Sequence, residues 1–483
     1  EKDKTKIGIV LIGRAYNSYV DEANMGIPKK ISSRGINIIP HDFLPFEESE
    51  NIKHMYWGQG SQITKAAKIV KNNSQLFSVY ITNFSCGPDS FLLGYFRQIM
   101  GNKPSLTLEL DSHTADAGIN TRIEAALDIF IRYKTLFNNF LSENISFYNK
   151  PLKLAEKGKI FDSVNNKVYS LYDNNVKIIL PSMGIHSSQA MQANFSYFGI
   201  SSQVLPAYNN ETLKIGRGNT LCKECLPLQL CTGSMLEYSK NRKDENEITL
   251  YFMSEGNGPC RFGQYSVFLE NVIAKNNIQK MGLFTLSDED GYTGFGTEFF
   301  IRGWVAFVIA DVMKNIENAI KVLAYNKTAA LQVFNNEWDK IRSVLSKKPL
   351  SDVYLQLEKT TEAFSKIERR YSIKQAKKIS LIGEIFVRHD EFSRMNLLET
   401  LINKDFVVTI APIGEYVYYS DYLAKIKNKK TNIKDILYDK IKTFEQKRIE
   451  KRIKSILSKS DFVEYETMDI EKVIEAASPF LPD

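Results

Sequence analysis

What this chain lacks bounds it first. A membrane-spanning helix needs about 18 or more apolar residues with few charges. The best candidate here, Phe299 to Met313, is interrupted by Arg302 and Asp311, so no such helix is expected. Cysteine is scarce, at five of 483 residues, and that excludes a disulfide-stapled scaffold. The five histidines (His41, His54, His113, His186 and His389) stand singly, with no metal-binding pair among them. No G-x4-G-K-[ST] run occurs, so a P-loop is excluded and any nucleotide has to be bound elsewhere. No convincing internal repeat is visible beyond the likeness of two α/β halves. The opening Glu1-Lys2-Asp3-Lys4, without Met or a signal peptide, reads as the start of a piece trimmed from something longer.

What is present is average globular material. The composition is 43% hydrophobic and 25% charged, which supports a packed core and excludes wholesale disorder. At roughly 150 residues per domain the length predicts about three units. The net charge of +7 is localised. Lys425 to Lys459 holds 13 Lys/Arg against four Asp/Glu, a local +9 that leaves −2 for the remainder. A nucleic-acid surface spreads basic residues over a fold face rather than along one late run, so no nucleic-acid partner is expected. The run reads as a solvated helix face, or as a dock for an acidic partner.

The first 150 residues predict an α/β domain. Candidate strands are Lys6 to Ile12, Gly35 to Pro40, Ser78 to Asn83 and Ser105 to Leu110, with helical patterns at Gln62 to Asn72 and Asp89 to Met100. Strands alternating with helices argue for a parallel sheet covered on both faces. Residues 151–175, with an Asn165-Asn166 turn, predict a hairpin-like connection. The first half of a second α/β domain follows at 176–296, with strands at Val176 to Pro181, Ser202 to Leu205, Ile248 to Met253 and Met281 to Leu286. Residues 297–376 read as a helical section. At 377–483 the strands Lys378 to Val387 and Phe406 to Ile410 are expected to return to the second sheet before a basic helical tail. The fold class expected is two Rossmann-like (flavodoxin-like) parallel-sheet domains with a helical insertion and a helical C-terminal tail.

The cysteines are few but patterned. Cys222, Cys225 and Cys231 form C-x2-C-x5-C, close enough for two thiolates to meet one metal centre and a third to close it. Cys86, in Thr82-Asn-Phe-Ser-Cys-Gly-Pro-Asp, and Cys260, in Gly256-Asn-Gly-Pro-Cys-Arg-Phe-Gly-Gln-Tyr, each follow a strand and precede a helix. Doubly wound sheets place ligands there, and helix N-termini stabilise anionic groups. Buried structural thiols are the bland alternative. Zinc is a second, although a structural zinc normally shows another C-x2-C or a His pair. The pattern favours an iron–sulfur cluster on Cys86, Cys222, Cys225, Cys231 and Cys260.

The polar string Glu109, Asp111, His113, Asp116, Arg122 and Glu124 offers a proton carrier in His113 and an anion holder in Arg122, or else it caps and ties the next helix. Arg261, beside Cys260, reads either as a donor of hydrogen bonds to cluster sulfides, raising the potential, or as one half of a surface salt bridge. Gly256, Gly258 and Gly263 would let backbone approach closely. Tyr56 and Trp57 read as core. Glu384, Arg388, His389 and Asp390 read as lining a cleft or a partner surface.

Several segments carry a family resemblance: Tyr56-Trp-Gly-Gln-Gly, the Cys86 and Cys260 motifs, Leu108-Glu-Leu-Asp-Ser-His-Thr-Ala-Asp-Ala-Gly and Gly383-Glu-Ile-Phe-Val-Arg-His-Asp. The chain resembles the iron–sulfur reductase part of acyl-CoA dehydratase activase-related proteins, relatives of 2-hydroxyacyl-CoA dehydratase subunits and double-cubane cluster proteins. The resemblance implies a cytoplasmic, oxygen-sensitive reductase that takes low-potential electrons from an ATP-hydrolysing activase carrying its own [4Fe-4S] cluster and reduces a small molecule. ATP would bind only on that partner, and a homo-oligomer or pseudo-dimer is implied. Arg261, His113 and Glu109 are the catalytic candidates. A double-cubane [8Fe-9S] centre takes six protein ligands and five thiols are present, yet five exceed what a single [4Fe-4S] needs, so the double cubane is slightly preferred. A dehydratase-type subunit acting on an acyl-CoA and a cluster-less scaffold of the same fold stay open.

Overall fold

The computed structural model describes residues 6–47, 49–136, 152–155, 158–256, 258–286, 296–427, 433–467 and 469–481. The chain divides into two compact units. The first comprises Glu1–Pro151, Lys214–Leu236 and Met253–Gln279. Its sheet is built from β1 (Gly8–Ile12), β2 (Asn37–Pro40), β3 (Leu76–Asn83) and β4 (Ser105–Leu110), in the order β2-β1-β3-β4. Every pairing in it is parallel.

Burial on both faces explains why these runs form central strands. All five residues of β1, Gly-Ile-Val-Leu-Ile, are buried. Along β3 the two-residue period separates the faces. Phe77, Val79 and Ile81 join a core with Ile27, Ile31, Ile123 and Phe130 from the helices Ile27–Ser32 and Asp116–Leu136. Tyr80 turns the other way and meets Phe96 of the helix Asp89–Met100 edge-on, with ring centroids 5.1 Å apart. Pro88 caps that helix, and Gly101, at φ +54°, stops it. Gly13 after β1 has φ +153°, and a Cβ there would lie 2.4 Å from the Ile81 carbonyl oxygen, so the turn out of β1 requires glycine.

The second unit comprises Leu152–Leu213, Glu237–Phe252 and Lys280–Asp483. It opens with an antiparallel sheet of β5 (Leu152–Ala155), β6 (Lys159–Asp162) and β7 (Lys167–Ser170). Asn166 takes φ +51° between β6 and β7. The expected hairpin is therefore present and carries a third strand. The main sheet holds β8 (Val176–Leu180), β9 (Ser202–Val204), β10 (Ile248–Ser254) and β11 (Met281–Leu286), ordered β11-β10-β8-β9, with β8 parallel to both β9 and β10. The expected helical section resolves into Gly296–Leu323, Lys327–Leu345 and Leu350–Ser365. The first of these helices is buried along most of its length against Trp338, Phe364, Val408 and Ile453.

The tail differs from expectation in two places. β12 (Lys377–Leu381) ends before Gly383, at φ +128°, and Glu384 caps a short helix, Ile385–His389, by accepting the Val387 N–H at 2.8 Å. A left-handed glycine followed by a carboxylate cap cannot continue the strand to Val387. β12 pairs in parallel with β13 (Phe406–Ile410), and these two form their own sheet rather than extending β8 to β11. Asn318 of the helix Gly296–Leu323 donates to the Val408 carbonyl at 3.0 Å, which fixes that pair on the helical core. Part of the basic run, 428–432, lies outside the described residues. The helix Ile433–Leu457 is not simply solvated: Ile449, Ile453, Ile456 and Leu457 are buried in the core, and its described basic residues flank that apolar face. No helix among the described residues is long and apolar enough to cross a membrane.

Candidate functional site

In the order β2-β1-β3-β4 the chain reverses its direction of winding between β1 and β3. Open α/β sheets bind ligands beyond the carboxyl ends of the strands at such a point. Cys86 sits there, in the loop leaving β3. Phe84, Ser85 and Gly87 around it all have φ between +52° and +60°, which curls the loop back so that Cys86 N–H meets the Asn83 carbonyl at 3.3 Å. Cys86 itself is exposed.

Asp89 anchors the base of that loop and is fully buried. Its carboxylate accepts hydrogen bonds from Thr82 Oγ1 and from the Tyr80 hydroxyl (3.2 Å), and pairs with the Arg14 guanidinium at 3.1 Å. Burial pushes its pKa up, while Thr82, Arg14 and Tyr80 oppose the shift. Arg14 also reaches the Cys86 carbonyl at 3.5 Å and lies 4.9 Å from the centre of the Tyr16 ring.

The sequence expectation put Cys222, Cys225, Cys231 and Cys260 in the second α/β half. By packing, the segments that carry them, Lys214–Leu236 and Met253–Gln279, belong to the first unit, so all five cysteines lie in one unit. Five links show how this is achieved. Trp57 Nε1, at the start of the helix Gly58–Asn72, donates to the Pro259 carbonyl at 2.9 Å, and Arg261 donates to Ser90 Oγ at 3.1 Å, tying the Cys260 loop to that helix start and to the helix that follows Cys86. Gln264, buried, accepts from the Tyr95 hydroxyl at 3.0 Å and donates to the His54 carbonyl. Lys223, between Cys222 and Cys225, pairs with Glu109 at the end of β4 at 3.6 Å. The three cysteine-bearing segments are thus gathered at the carboxyl edge of the first sheet.

Each segment has a local reason for its shape. Glu224 is buried, and its carboxylate accepts the N–H groups of Leu221 (3.0 Å) and Lys223 (3.1 Å), which folds the Cys222–Cys225 loop around it. Cys222 takes φ +61° and is exposed, with its Sγ 3.5 Å from the Arg217 carbonyl. Cys225, half-buried, stands just before the helix Leu226–Asn241, and its carbonyl receives the Gln229 N–H at 3.2 Å. Cys231 is buried inside that helix. Cys260, exposed, precedes a single 3-10 turn, Arg261–Gln264, and the helix Tyr265–Lys275. Gly263 is packed so closely that a Cβ would fall 2.6 Å from the Gly256 carbonyl oxygen, whereas a Cβ at Gly258 would meet nothing within 4 Å.

Tyr265 was not singled out from sequence. Its phenol is buried, hydrogen-bonded to the Cys225 side chain, and within electrostatic range of Cys231 and Cys260. Burial, then these thiols, pushes its pKa far above the ordinary value. Its position five residues beyond Cys260, at the first turn of a helix, is the only signal the sequence offered. Cys225, Cys231 and Cys260 lie within electrostatic range of this phenol, and Cys86 and Cys222 stand in their own loops of the same unit. None of the five is in a disulfide. Among the described residues, no three His, Cys, Asp or Glu side chains converge as a single metal ion requires.

The remaining sequence candidates have ordinary surroundings. His113 is exposed on a turn where its backbone N–H donates to Asp111 Oδ1 at 2.8 Å. Arg122 donates to the Thr107 carbonyl of β4 at 2.6 Å, while Asp116 pairs with Lys30 at 2.9 Å and Glu124 with Arg34 at 2.7 Å, linking their helix to the helix Ile27–Ser32 and the turn after it. Tyr56 is exposed rather than core. Arg388, His389 and Asp390 are buried in the second unit, where Arg388 donates to the Pro412 carbonyl at 2.9 Å. They lock loops together and line no surface.

Residues 1–44 match a family model described as "CoA enzyme activase uncharacterised domain (DUF2229)", which relates this N-terminal segment to the CoA enzyme activases. The matched stretch holds β1, Arg14 and β2. No curated protein and no solved structure matches the chain.

Proposed function

We propose that this chain is an iron–sulfur electron-transfer and reductase component of an ATP-dependent activase system. Its five thiols hold the cluster, and it takes low-potential electrons from an ATP-hydrolysing partner with its own [4Fe-4S] centre and passes them to a small molecule. The observation that carries this reading is the gathering of three separate cysteine segments at the carboxyl edge of one parallel sheet, tied there by Lys223–Glu109 and Arg261–Ser90. The match of residues 1–44 to a CoA enzyme activase domain supports the setting.

The donor set fits a cluster better than zinc. A structural zinc normally shows a second C-x2-C or a His pair, and this chain has neither. A cubane distributes its thiolates over separate irons, so its ligands surround a volume. When bound, such a cluster supplies one-electron chemistry at low potential. Cys86, Cys222, Cys225, Cys231 and Cys260 would hold it. Arg261 and Lys223 place positive charge beside Cys260 and within the Cys222–Cys225 loop, offsetting a negative centre.

The double cubane remains the preferred form, because five gathered thiols exceed the needs of one cubane. The activase match also favours a second reading, in which the chain is a dehydratase-type subunit that binds an acyl-CoA. Calorimetric titration of the chain with an acyl-CoA separates the two: binding supports the second and no binding the first. The first is tested directly by changing Cys225, Cys231 and Cys260 singly to Ser. Anaerobic preparations are expected to lose iron and visible absorbance, and unchanged iron in all three variants would refute the assignment.

A further inference from the structure

We propose that Asp311 is a proton-operated latch: while its Oδ1 carries a proton, the carboxyl seats the start of the helix Ile413–Lys427 on the helix Gly296–Leu323, and loss of that proton loosens the seat. The device belongs to the second unit and stands independently of the cluster reading.

The contact is buried and built from two helices. Asp311 lies near the middle of the helix Gly296–Leu323 and is only 8% exposed. Its Oδ2 accepts the N–H of Ile413, the first residue of the helix Ile413–Lys427, at 2.9 Å. A carboxyl of one helix thus caps the start of another, where the first N–H groups lack partners within their own helix. Its Oδ1 is buried and has no hydrogen-bond partner among the described residues. The residue lines a small cavity whose other walls from the same helix, Trp304 and Val308, are apolar.

The charges around that cavity assign the proton. The helix Ile413–Lys427 contributes Glu415 and Tyr418, and the helix Ile433–Leu457 contributes Glu450 and Lys454. Arg388, of the helix Ile385–His389, reaches the cavity wall by donating to the Pro412 carbonyl at 2.9 Å. Three carboxyls therefore meet two cations, and both cations are engaged elsewhere: Lys454 lies 2.6 Å from Glu450, and Arg388 lies 3.5 Å from Glu415. The Tyr418 hydroxyl also donates to Glu450, at 2.7 Å. Asp311 is the odd carboxyl, and a charge buried without its own partner is strongly disfavoured. A proton on Oδ1 removes that charge and leaves Oδ2 to hold Ile413. Burial accordingly pushes the pKa of Asp311 up from 3.8 to about 7, against the Ile413 and Gly414 N–H groups, Lys454 and Arg388. Between those values the folded protein holds the proton and the unfolded chain does not. The stability that Asp311 supplies is complete below pH about 3.8, declines as pH rises, and is lost above about 7.

The test is urea unfolding of the wild type and Asp311→Asn from pH about 4 to about 8, because the amide can cap Ile413 but cannot ionise. The stability of the wild type relative to the variant is expected to fall with rising pH and to level off above about 7. A difference that stays constant with pH would leave Asp311 a simple cap and overturns the proposal. Amide exchange across 412–418, corrected for intrinsic rates, should show the same loss of protection in the wild type alone; equal pH dependence in both proteins overturns it too. Should Asp311→Asn fail to fold, Glu450→Gln supplies the test. It frees Lys454 for Asp311, so the decline with pH should shrink, and an unchanged decline overturns the proposal.

Discussion

Asp89 gives the sharpest energetic prediction, because its surroundings are closed. It is fully buried, as are Tyr80 and Thr82, and the Arg14 side chain is only 14% exposed. Asp89→Ala removes the acceptor for two buried hydroxyls and strips Arg14 of its carboxylate. Breaking one partner of a buried ion pair costs about 3–5 kcal/mol. Each orphaned buried hydroxyl adds about 1–3 kcal/mol, reduced where the group finds another acceptor. Relief of the buried carboxylate's own desolvation offsets part of this, which places the net loss at about 4 kcal/mol. Asp89→Asn keeps one acceptor and loses only the charge, so about half that loss is expected. Urea unfolding followed by far-UV circular dichroism measures both, and Trp57 provides a fluorescence probe inside the same unit. The same variants should loosen the Cys86 loop, read as faster alkylation of Cys86. A loss below about 1 kcal/mol for Asp89→Ala would mean that the Arg14–Asp89–Thr82–Tyr80 node does not hold the loop.

Acid provides a second test. Burial, opposed by Glu317 and assisted by Lys314, pushes the pKa of His186 down from 6.5 to about 4. Between those values the unfolded chain binds the proton and the folded protein does not. The stabilisation is therefore complete above pH about 6.5 and is lost as pH falls toward 4, amounting to about 3 kcal/mol. His186 meets the Trp338 ring edge-on at 5.1 Å, so Trp338 fluorescence reports the transition, and His186→Leu should flatten the pH dependence. A third test uses Gly216, where a Cβ would lie 1.8 Å from the Gln229 carbonyl oxygen. Gly216→Ala should cost about 3 kcal/mol, at the upper end for overpacking, and should displace the Cys225–Cys231 helix. Gly118→Ala, with nothing within 4 Å of its Cβ, is the control and should be neutral or stabilising by up to about 1 kcal/mol.

Much of the sheet architecture was legible from two patterns: strands buried on both faces, such as β1 and most of β3, read as near-continuous apolar runs, and β4 reads as an alternation of apolar and polar residues. β4 and β11 fall where the pattern placed them, and β3 differs only by two residues at its start. The end of β12 was misread because Gly383 looks like an ordinary residue after Leu-Ile until its φ of +128° is known. The ownership of the cysteine segments was hidden for a different reason. Proximity in sequence placed 214–236 with the strands around it. Its packing is decided by contacts that periodicity cannot see, such as Lys223 with Glu109, and that of 253–279 by contacts such as Arg261 with Ser90. The thiols were conspicuous by their spacing. Glu224 and Tyr265, which shape the loop and face the sulfurs, carry no such mark, because a buried carboxylate and a buried phenol look in sequence like any others.

Anaerobic quantification of iron and acid-labile sulfide, with electron paramagnetic resonance of the dithionite-reduced protein, tests the central claim most directly. A brown protein with about eight irons per chain agrees with the double cubane, and about four with a single cubane. A colourless anaerobic preparation holding stoichiometric zinc and no sulfide would contradict the account.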